Sequence, residues 1–210
     1  WGKLNQLGFG SLPNSGFPGE VSGRLRPWKN WVPIDHATIC FGQGVTVTLL
    51  QMARAYTVFA NDGELRPLSM VKLNEVPVGQ QVLSAQTARS MREMMEAVVK
   101  PGGTAPKAQV AGYRVAGKTG TAQKVINGVY ADGRYISSFI GLAPASNPRL
   151  VIAVMVDEPS AGIYYGGAVA APVFSKVMEG SLRLLAVPQD APTNNIVIPA
   201  ENVPEVGEVV

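Results

Sequence analysis

The spacing of apolar residues predicts two helices in the first half of the chain. Between about residues 48 and 60, apolar side chains recur every three or four positions, and Thr48 with Gln51 has the pattern of a capping box. The same spacing returns between about residues 85 and 99, with an apolar stripe that includes Met94, and Ser84 is a suitable N-cap. Both segments are therefore predicted to be amphipathic helices that cover a core.

After residue 112 the pattern changes to alternation of apolar and polar positions, which predicts strands at 113–122, 135–142 and 150–157. Turn signals at Asn127-Gly128 or Asp132-Gly133, and between residues 144 and 148, join them by short connections, so the neighbours should be antiparallel. A last helix is predicted over 169–185, with Pro172 tolerated in its first turn. Its apolar stripe, expected to face the sheet, comprises Val173, Phe174, Val177, Met178, Leu182 and Leu185. The predicted fold class is α+β, an antiparallel sheet flanked by helices.

The chain is expected to form one domain over residues 1–187, followed by a tail. Residues 1–47 are rich in Gly and Pro, which predicts a long structured loop. Residues 188–210 are rich in Pro and Val without periodicity, which predicts an extended or disordered tail. The strongly apolar run at 150–156 is far shorter than the roughly 20 residues of a membrane-spanning helix. Because the first residues have the composition of a loop inside a domain, we interpret the sequence as a piece of a longer protein.

Charge and composition exclude several classes of function. Lys and Arg number 18 against 15 Asp and Glu, without a basic run, so no nucleic-acid partner is predicted. The one cysteine, Cys40, excludes an internal disulfide, and its apolar neighbours predict burial. His36 is the only histidine and supports neither a metal site nor a Ser-His-Asp triad. No metal or organic cofactor is predicted.

The most informative motif is Lys118-Thr119-Gly120-Thr121, in the first predicted strand. Side chains alternate along a strand, so Thr119 and Thr121 should project to one side, while Gly120 lets another backbone come close. Two hydroxyls and a cation suit the carboxylate of a peptide that adds to the strand edge. Alternation turns Lys118 away from the threonines, so its long side chain would have to reach round the strand edge.

A nucleotide-binding loop is the main alternative interpretation of this motif. Residues 112–119 match the pattern G-x-x-x-x-G-K-[ST], and the strand at 150–157 ends in an acidic pair that resembles a Mg²⁺-binding strand. A phosphate loop must open directly into a helix, however, and its strands are parallel. Here residues 113–116 are strand formers without Gly, and turns follow Thr121. The pattern therefore disfavours nucleotide binding.

Longer segments accompany the motif and together carry a family resemblance. They lie at 41–44, 48–56 and 164–174. With these segments, Lys118-Thr119-Gly120 resembles the K-[ST]-G motif of penicillin-binding proteins, in particular class B proteins of the FtsI type, which cross-link septal peptidoglycan in Gram-negative division. The resemblance covers about residues 1–187. It implies the C-terminal half of a transpeptidase domain with the fold shared by serine β-lactamases.

The resemblance assigns roles to the motif and to three tyrosines. It implies that Thr119, Gly120 and Thr121 receive the carboxylate of a D-Ala-D-Ala stem peptide or of a β-lactam. The Thr121 backbone N–H would be half of the oxyanion hole, and Lys118 would tune the local proton chemistry, so both are catalytic candidates. An aromatic wall is implied beside the site, with ordinary packing left open as its alternative; its members are Tyr135, Tyr164 and Tyr165.

The nucleophile of the family is not expected within this chain. Ser69-Met70-Val71-Lys72 matches the letters S-x-x-K, but a working pair must start a helix so that Ser and Lys share one face. This segment follows Pro67 and leads into a predicted strand and turn, so the match is interpreted as chance. No serine begins an S-x-N triplet either. The resemblance therefore implies that the serine nucleophile, its lysine and the S-x-N motif lie on a preceding segment.

The resemblance also implies the reaction and its setting. The complete enzyme would form a serine acyl-enzyme, release D-Ala and transfer the acyl group to the amine of a neighbouring stem peptide. Its implied partners are peptidoglycan stem peptides, β-lactam antibiotics and membrane proteins of the division complex, including a SEDS-type glycosyltransferase, at the periplasmic face of the inner membrane. A non-catalytic peptidoglycan-binding module and a nucleotide hydrolase stay open as alternatives.

Overall fold

A three-stranded antiparallel sheet organises the computed structural model, which describes residues 1–197. Its three strands are adjacent in chain order, so the first of them lies at one edge of this sheet. The bounds are Ala116–Ile126 for β3, Val129–Ala143 for β4 and Leu150–Asp157 for β5. The predicted strands and their antiparallel order are confirmed, as is the α+β class.

The β3–β4 hairpin turns at Asn127-Gly128, where both residues have positive φ, 53° and 82°. This is the backbone that a two-residue hairpin turn requires, and Asn-Gly adopts it readily. The second turn signal, Asp132-Gly133, lies inside β4 instead. Because Thr119 pairs with Phe139 and Thr121 with Ser137, these four side chains lie on one face of the sheet.

Helix α5, Gly166–Leu184, packs on that face of the sheet. The rings of Phe139 and Phe174 meet edge to face with centroids 4.7 Å apart. The helix begins three residues before the predicted start, which places Pro172 in its second turn and not its first. The predicted apolar stripe was also partly wrong, since Phe174, Met178 and Leu182 are buried whereas three other members are exposed: Val173, Val177 and Leu185.

Helices α3, Leu49–Ala60, and α4, Ala85–Glu96, pack on the opposite side. The capping box is confirmed: the Gln51 N–H donates to Thr48 Oγ1 at 3.1 Å, and the Thr48 N–H donates to Gln51 Oε1 at 2.8 Å. Ser84 caps α4 as predicted. A 3-10 turn, Ala97–Val99, extends α4 toward the loop that precedes β3.

The remaining elements are short. Helices α1, Gly2–Gln6, and α2, Pro33–Thr38, interrupt the predicted N-terminal loop, and strands β1, Glu64–Leu65, and β2, Gln80–Gln81, form an antiparallel pair that the sequence did not predict. Cys40 is exposed, contrary to the prediction of burial. It lies in a one-turn 3-10 helix whose inward-facing residue is its neighbour Ile39, which is buried.

Residues 188–197 form neither helix nor strand but contact the domain body. The Asp190 carboxylate accepts the backbone N–H of Arg114 at 2.7 Å, and the Asn195 amide donates to the Tyr113 carbonyl at 2.9 Å. The domain boundary at residue 187 stays a prediction, and residues 198–210 of the predicted tail lie outside the described residues. No helix within residues 1–197 has the length and apolar content needed to cross a membrane.

Candidate functional site

The motif Lys118-Thr119-Gly120-Thr121 lies on β3 as continuous strand. All four residues pair in register with β4, and the strand runs on to the hairpin turn at Asn127. No helix starts here, and β5 pairs antiparallel with β4. These features contradict a phosphate-binding loop, which must open into a helix. The nucleotide-hydrolase alternative is therefore wrong.

The Lys118 side chain reaches round the edge of β3. Its Nζ donates to the Thr119 carbonyl oxygen at 3.1 Å and lies 3.3 Å from Thr119 Oγ1. Lys118 is exposed at the strand edge, whereas Thr119 is buried. An ammonium group from one face of the strand thus meets a hydroxyl on the other face. Positive charge and a hydroxyl are placed together, as the recognition of a carboxylate requires.

Thr121 is held by the start of helix α5. The Gly166 backbone N–H, the first of that helix, donates to Thr121 Oγ1 at 3.1 Å. Only glycine permits this approach, because a Cβ on Gly166 would overlap the Ser138 carbonyl and lie 2.7 Å from the Gly120 carbonyl. The positive end of the α5 dipole therefore adjoins the Thr121 hydroxyl.

Gly120 permits a second close approach. A Cβ at this position would lie 2.6 Å from Ser138 Oγ on β4, the hydroxyl that donates to the Gly120 carbonyl at 3.2 Å. The side chain absent from Gly120 thus makes room for a hydroxyl between the two strands. Glycine in the motif is explained by packing in this chain, with or without a ligand.

The three tyrosines of the proposed wall form one aromatic cluster. Tyr135 and Tyr164 stack face to face, with centroids 4.0 Å apart and planes within 9°, and Tyr165 follows at 4.6 Å from Tyr164. The buried Ser137 hydroxyl donates to the Tyr164 carbonyl. Desolvation, with a smaller contribution from Tyr164, raises the pKa of Tyr135 above its ordinary value. This shift favours the neutral phenol of Tyr135 over the phenolate.

The cluster lies next to the threonines along the hairpin. Tyr135 pairs with Gln123, two positions beyond Thr121 on β3, and Tyr165 is the N-cap residue of α5. The sequence motif, the start of α5 and the tyrosine cluster therefore meet at one end of the sheet. The role of the cluster in substrate binding stays a prediction.

One residue of this region escaped sequence analysis. Thr104, in the loop between α4 and β3, has its Oγ1 3.0 Å from Thr119 Oγ1. The preceding Pro101-Gly102-Gly103 stretch indicated only the end of a helix. No local pattern signals that a threonine 15 residues before Thr119 returns to its side, because this contact depends on tertiary packing.

The S-x-x-K match at residues 69–72 lacks the helix that a nucleophile and its lysine would need. Ser69 lies in an exposed turn outside any helix, and its Oγ donates to the Val71 carbonyl at 2.6 Å. His36 is exposed, and its ring packs edge to face with Trp31, with the ring centroids 5.3 Å apart. Within residues 1–197, no cluster of three or more His, Cys, Asp or Glu side chains could hold a metal ion.

Comparison with known proteins gives concordant matches. A family model described as the penicillin binding protein transpeptidase domain matches residues 2–179. A probable peptidoglycan D,D-transpeptidase PenA from Neisseria flavescens is 50% identical over 191 residues, which is 91% of this chain and 48% of that protein. The peptidoglycan D,D-transpeptidase FtsI of Escherichia coli is 44% identical over 193 residues, 90% of this chain and 32% of that protein.

Solved structures give the same result. The apo transpeptidase domain of Burkholderia pseudomallei penicillin-binding protein 3 superposes with a TM-score of 0.86 at 50% identity, covering 91% of this chain and 59% of that one. Penicillin-binding protein 3 from Mycobacterium tuberculosis, solved with ampicillin, gives a TM-score of 0.82 at 36% identity, covering 95% of this chain and 48% of that one. The chain spans about half, or less, of the length of the curated relatives named above.

Proposed function

The chain belongs to the penicillin-binding-protein transpeptidase domain family, and on this premise we propose that it forms the carboxylate-binding side of a peptidoglycan D,D-transpeptidase that acts in septal cell-wall synthesis. Curated relatives at 44% and 50% identity bear the names FtsI and PenA. The complete protein carries out the reaction, and this chain supplies the edge strand with its lysine and threonines.

One observation carries the proposal: the Lys118 ammonium group lies 3.3 Å from Thr119 Oγ1. Alternation alone would separate these two groups. Their meeting gives the strand edge a positive charge and a hydroxyl donor at one place, and Thr121 lies on the same face as Thr119. A carboxylate accepts hydrogen bonds from both hydroxyls and is attracted by the ammonium.

The substrate would bind as an added strand. β3 is an edge strand of the described sheet, so an extended stem peptide can pair with its backbone while its terminal carboxylate meets Thr119 and Thr121. The Thr121 N–H serves as one half of the oxyanion hole. The tyrosine cluster, comprising Tyr135, Tyr164 and Tyr165, borders the same end of the sheet and contacts the apolar part of the substrate.

The chemistry is acyl transfer through a serine from a preceding segment. Its hydroxyl oxygen attacks the carbonyl of the penultimate D-Ala, and the hydroxyl proton passes to a lysine base. The peptide bond then breaks as its nitrogen takes up that proton, which releases D-Ala as the free amine. The amine of a neighbouring stem peptide then attacks the ester, which frees the serine. Lys118 stabilises the negative charge that develops on the reacting oxygen and holds the carboxylate in place.

The setting of the reaction is proposed from the family. The proposed site of action is the periplasmic face of the bacterial inner membrane, and the proposed partners are membrane proteins of the division complex, including a SEDS-type glycosyltransferase. The structure solved with ampicillin concerns a relative, and we extend β-lactam binding from that protein to this one.

The mass of the protein after exposure to penicillin tests the proposal. The full-length protein is expected to gain one penicilloyl group, because a β-lactam acylates the serine and the product hydrolyses slowly. The chain of residues 1–210 alone should gain none, since the nucleophile is expected elsewhere. Full-length protein that stays at its original mass would instead favour a non-catalytic peptidoglycan-binding module.

A further inference from the structure

Thr104 joins the carboxylate site from outside the strand motif. Its Oγ1 lies 3.0 Å from Thr119 Oγ1, and Thr119 in turn lies 3.3 Å from the Lys118 ammonium. We infer that Thr104 is a positioning residue, which orients the Thr119 hydroxyl so that its proton points at the carboxylate of the substrate. This inference rests on the proposed function.

The backbone around Thr104 is fixed from two directions. On the loop side, the Ala105 N–H donates to the Val98 carbonyl at 2.9 Å, and Ala105 is fully buried. On the helix side, a Cβ on Gly167 would overlap the Thr104 carbonyl oxygen, so the start of α5 packs directly against this residue. A threonine on a free loop would lack such constraints. The backbone that carries the Thr104 hydroxyl is thus held in place.

The donors and acceptors of the three groups determine the proton positions. An ammonium can only donate, so Thr119 Oγ1 accepts from Lys118 and has one lone pair and one proton left. Between Thr104 and Thr119 either hydroxyl can be the donor while no ligand is bound. A carboxylate can only accept, so the Thr119 hydroxyl donates its hydrogen bond to the carboxylate, and Thr104 donates to the remaining lone pair of Thr119 Oγ1.

This arrangement makes Thr104 act through Thr119. A hydroxyl that accepts two hydrogen bonds donates a stronger third, because hydrogen bonds in a chain polarise one another. Without the Thr104 hydroxyl, the Thr119 proton would have freedom to point elsewhere. The loss should therefore affect ligands with an anionic carboxylate more than ligands without one.

Two substitutions and two probes test this inference in the full-length protein. Thr104→Val removes the hydroxyl at nearly constant volume, and Thr104→Ser retains it. The probes are benzylpenicillin and its methyl ester, in which the carboxylate is neutral. For Thr104→Val, acylation by benzylpenicillin should slow by about tenfold, the loss expected for one hydrogen bond in a charged network, and acylation by the ester by less than about twofold. Thr104→Ser should stay within about threefold of wild type for both probes.

Each outcome decides between the alternatives. Equal slowing with both probes would show a purely structural role and overturn the inference, as would unchanged acylation by benzylpenicillin. A Thr104→Ser variant as slow as Thr104→Val would also overturn it, because the hydroxyl would then be irrelevant. Should Thr104→Val not fold, Thr104→Ala replaces it in the same comparison. Wild-type protein that neither probe acylates would overturn the proposed function itself, and with it this inference.

Discussion

Replacement of Lys118 by alanine is expected to slow penicillin acylation of the full-length protein by about 10² to 10³-fold, the loss seen when one preorganised electrostatic group of an acyl-transfer site is removed. The ammonium lies 3.3 Å from Thr119 Oγ1, where the substrate carboxylate is proposed to bind. Lys118→Ala removes the charge that attracts this carboxylate and stabilises the developing oxyanion. The measurement is the second-order rate constant of acylation.

The fold should tolerate this substitution. Lys118 is exposed, so the free energy of unfolding should change by less than about 0.5 kcal/mol. Lys124 on the same strand offers a matched control, because its ammonium group forms ion pairs with Asp157 and Glu158 at the end of β5. Lys124→Ala removes an equal charge and should leave acylation within about threefold of wild type. Equal rates for Lys118→Ala and wild type would contradict the role given to Lys118.

Replacement of Gly167 by alanine is expected to destabilise the domain by about 3 kcal/mol, at the upper end of the usual cost of overpacking. An added Cβ would overlap the Thr104 carbonyl oxygen, which is backbone and cannot rotate away. Either the start of α5 or the loop at Thr104 must move. Because both adjoin the threonines, acylation should slow as well. The unfolding midpoint in urea and the acylation rate are the measurements.

Gly180 provides the matched control in the same helix. It also lies within α5, but a Cβ there would meet no atom within 4 Å. Gly180→Ala should therefore stabilise the domain by about 0.5–1 kcal/mol, because alanine is the better helix former. Gly167→Ala with a midpoint equal to wild type would contradict the close packing of helix and loop.

Local signals predicted the elements whose causes are local. The capping box at Thr48 and the N-cap at Ser84 define the starts of α3 and α4 within a residue or two, because the hydrogen bonds that start these helices span three residues. The Asn127-Gly128 hairpin followed from backbone conformations that few residues adopt. The antiparallel sheet followed from the short turns between its strands.

Predictions failed where tertiary packing decides. Helix α5 buries small residues, Ala170 and Ala171, in its first two turns and leaves Val173 exposed, because small side chains let the helix approach the sheet closely. A stripe chosen by hydrophobicity alone therefore has the wrong register. Met94 on α4 is exposed for a related reason: the buried face includes Arg92, which bonds the Phe59 carbonyl and Asp62.

In the candidate site, too, features with local causes could be predicted and features that depend on tertiary packing could not. Lys118, Thr119 and Thr121 lie within four consecutive positions, so their arrangement on a strand could be predicted. The reach of the lysine round the strand edge depends on its rotamer, and the contact of Thr104 with Thr119 depends on a loop that folds back beside α5. Neither has a sequence signature. Both required coordinates.

The position of the carboxylate in a penicillin acyl-enzyme tests the account most directly. In a crystal structure of the acylated full-length protein, the carboxylate oxygens are expected within about 2.7–3.2 Å of Thr119 Oγ1 and Thr121 Oγ1. The Lys118 ammonium should lie beside them. A bound penicillin whose carboxylate points away from β3 and contacts neither threonine would contradict the claim that this strand edge receives the acidic end of the substrate.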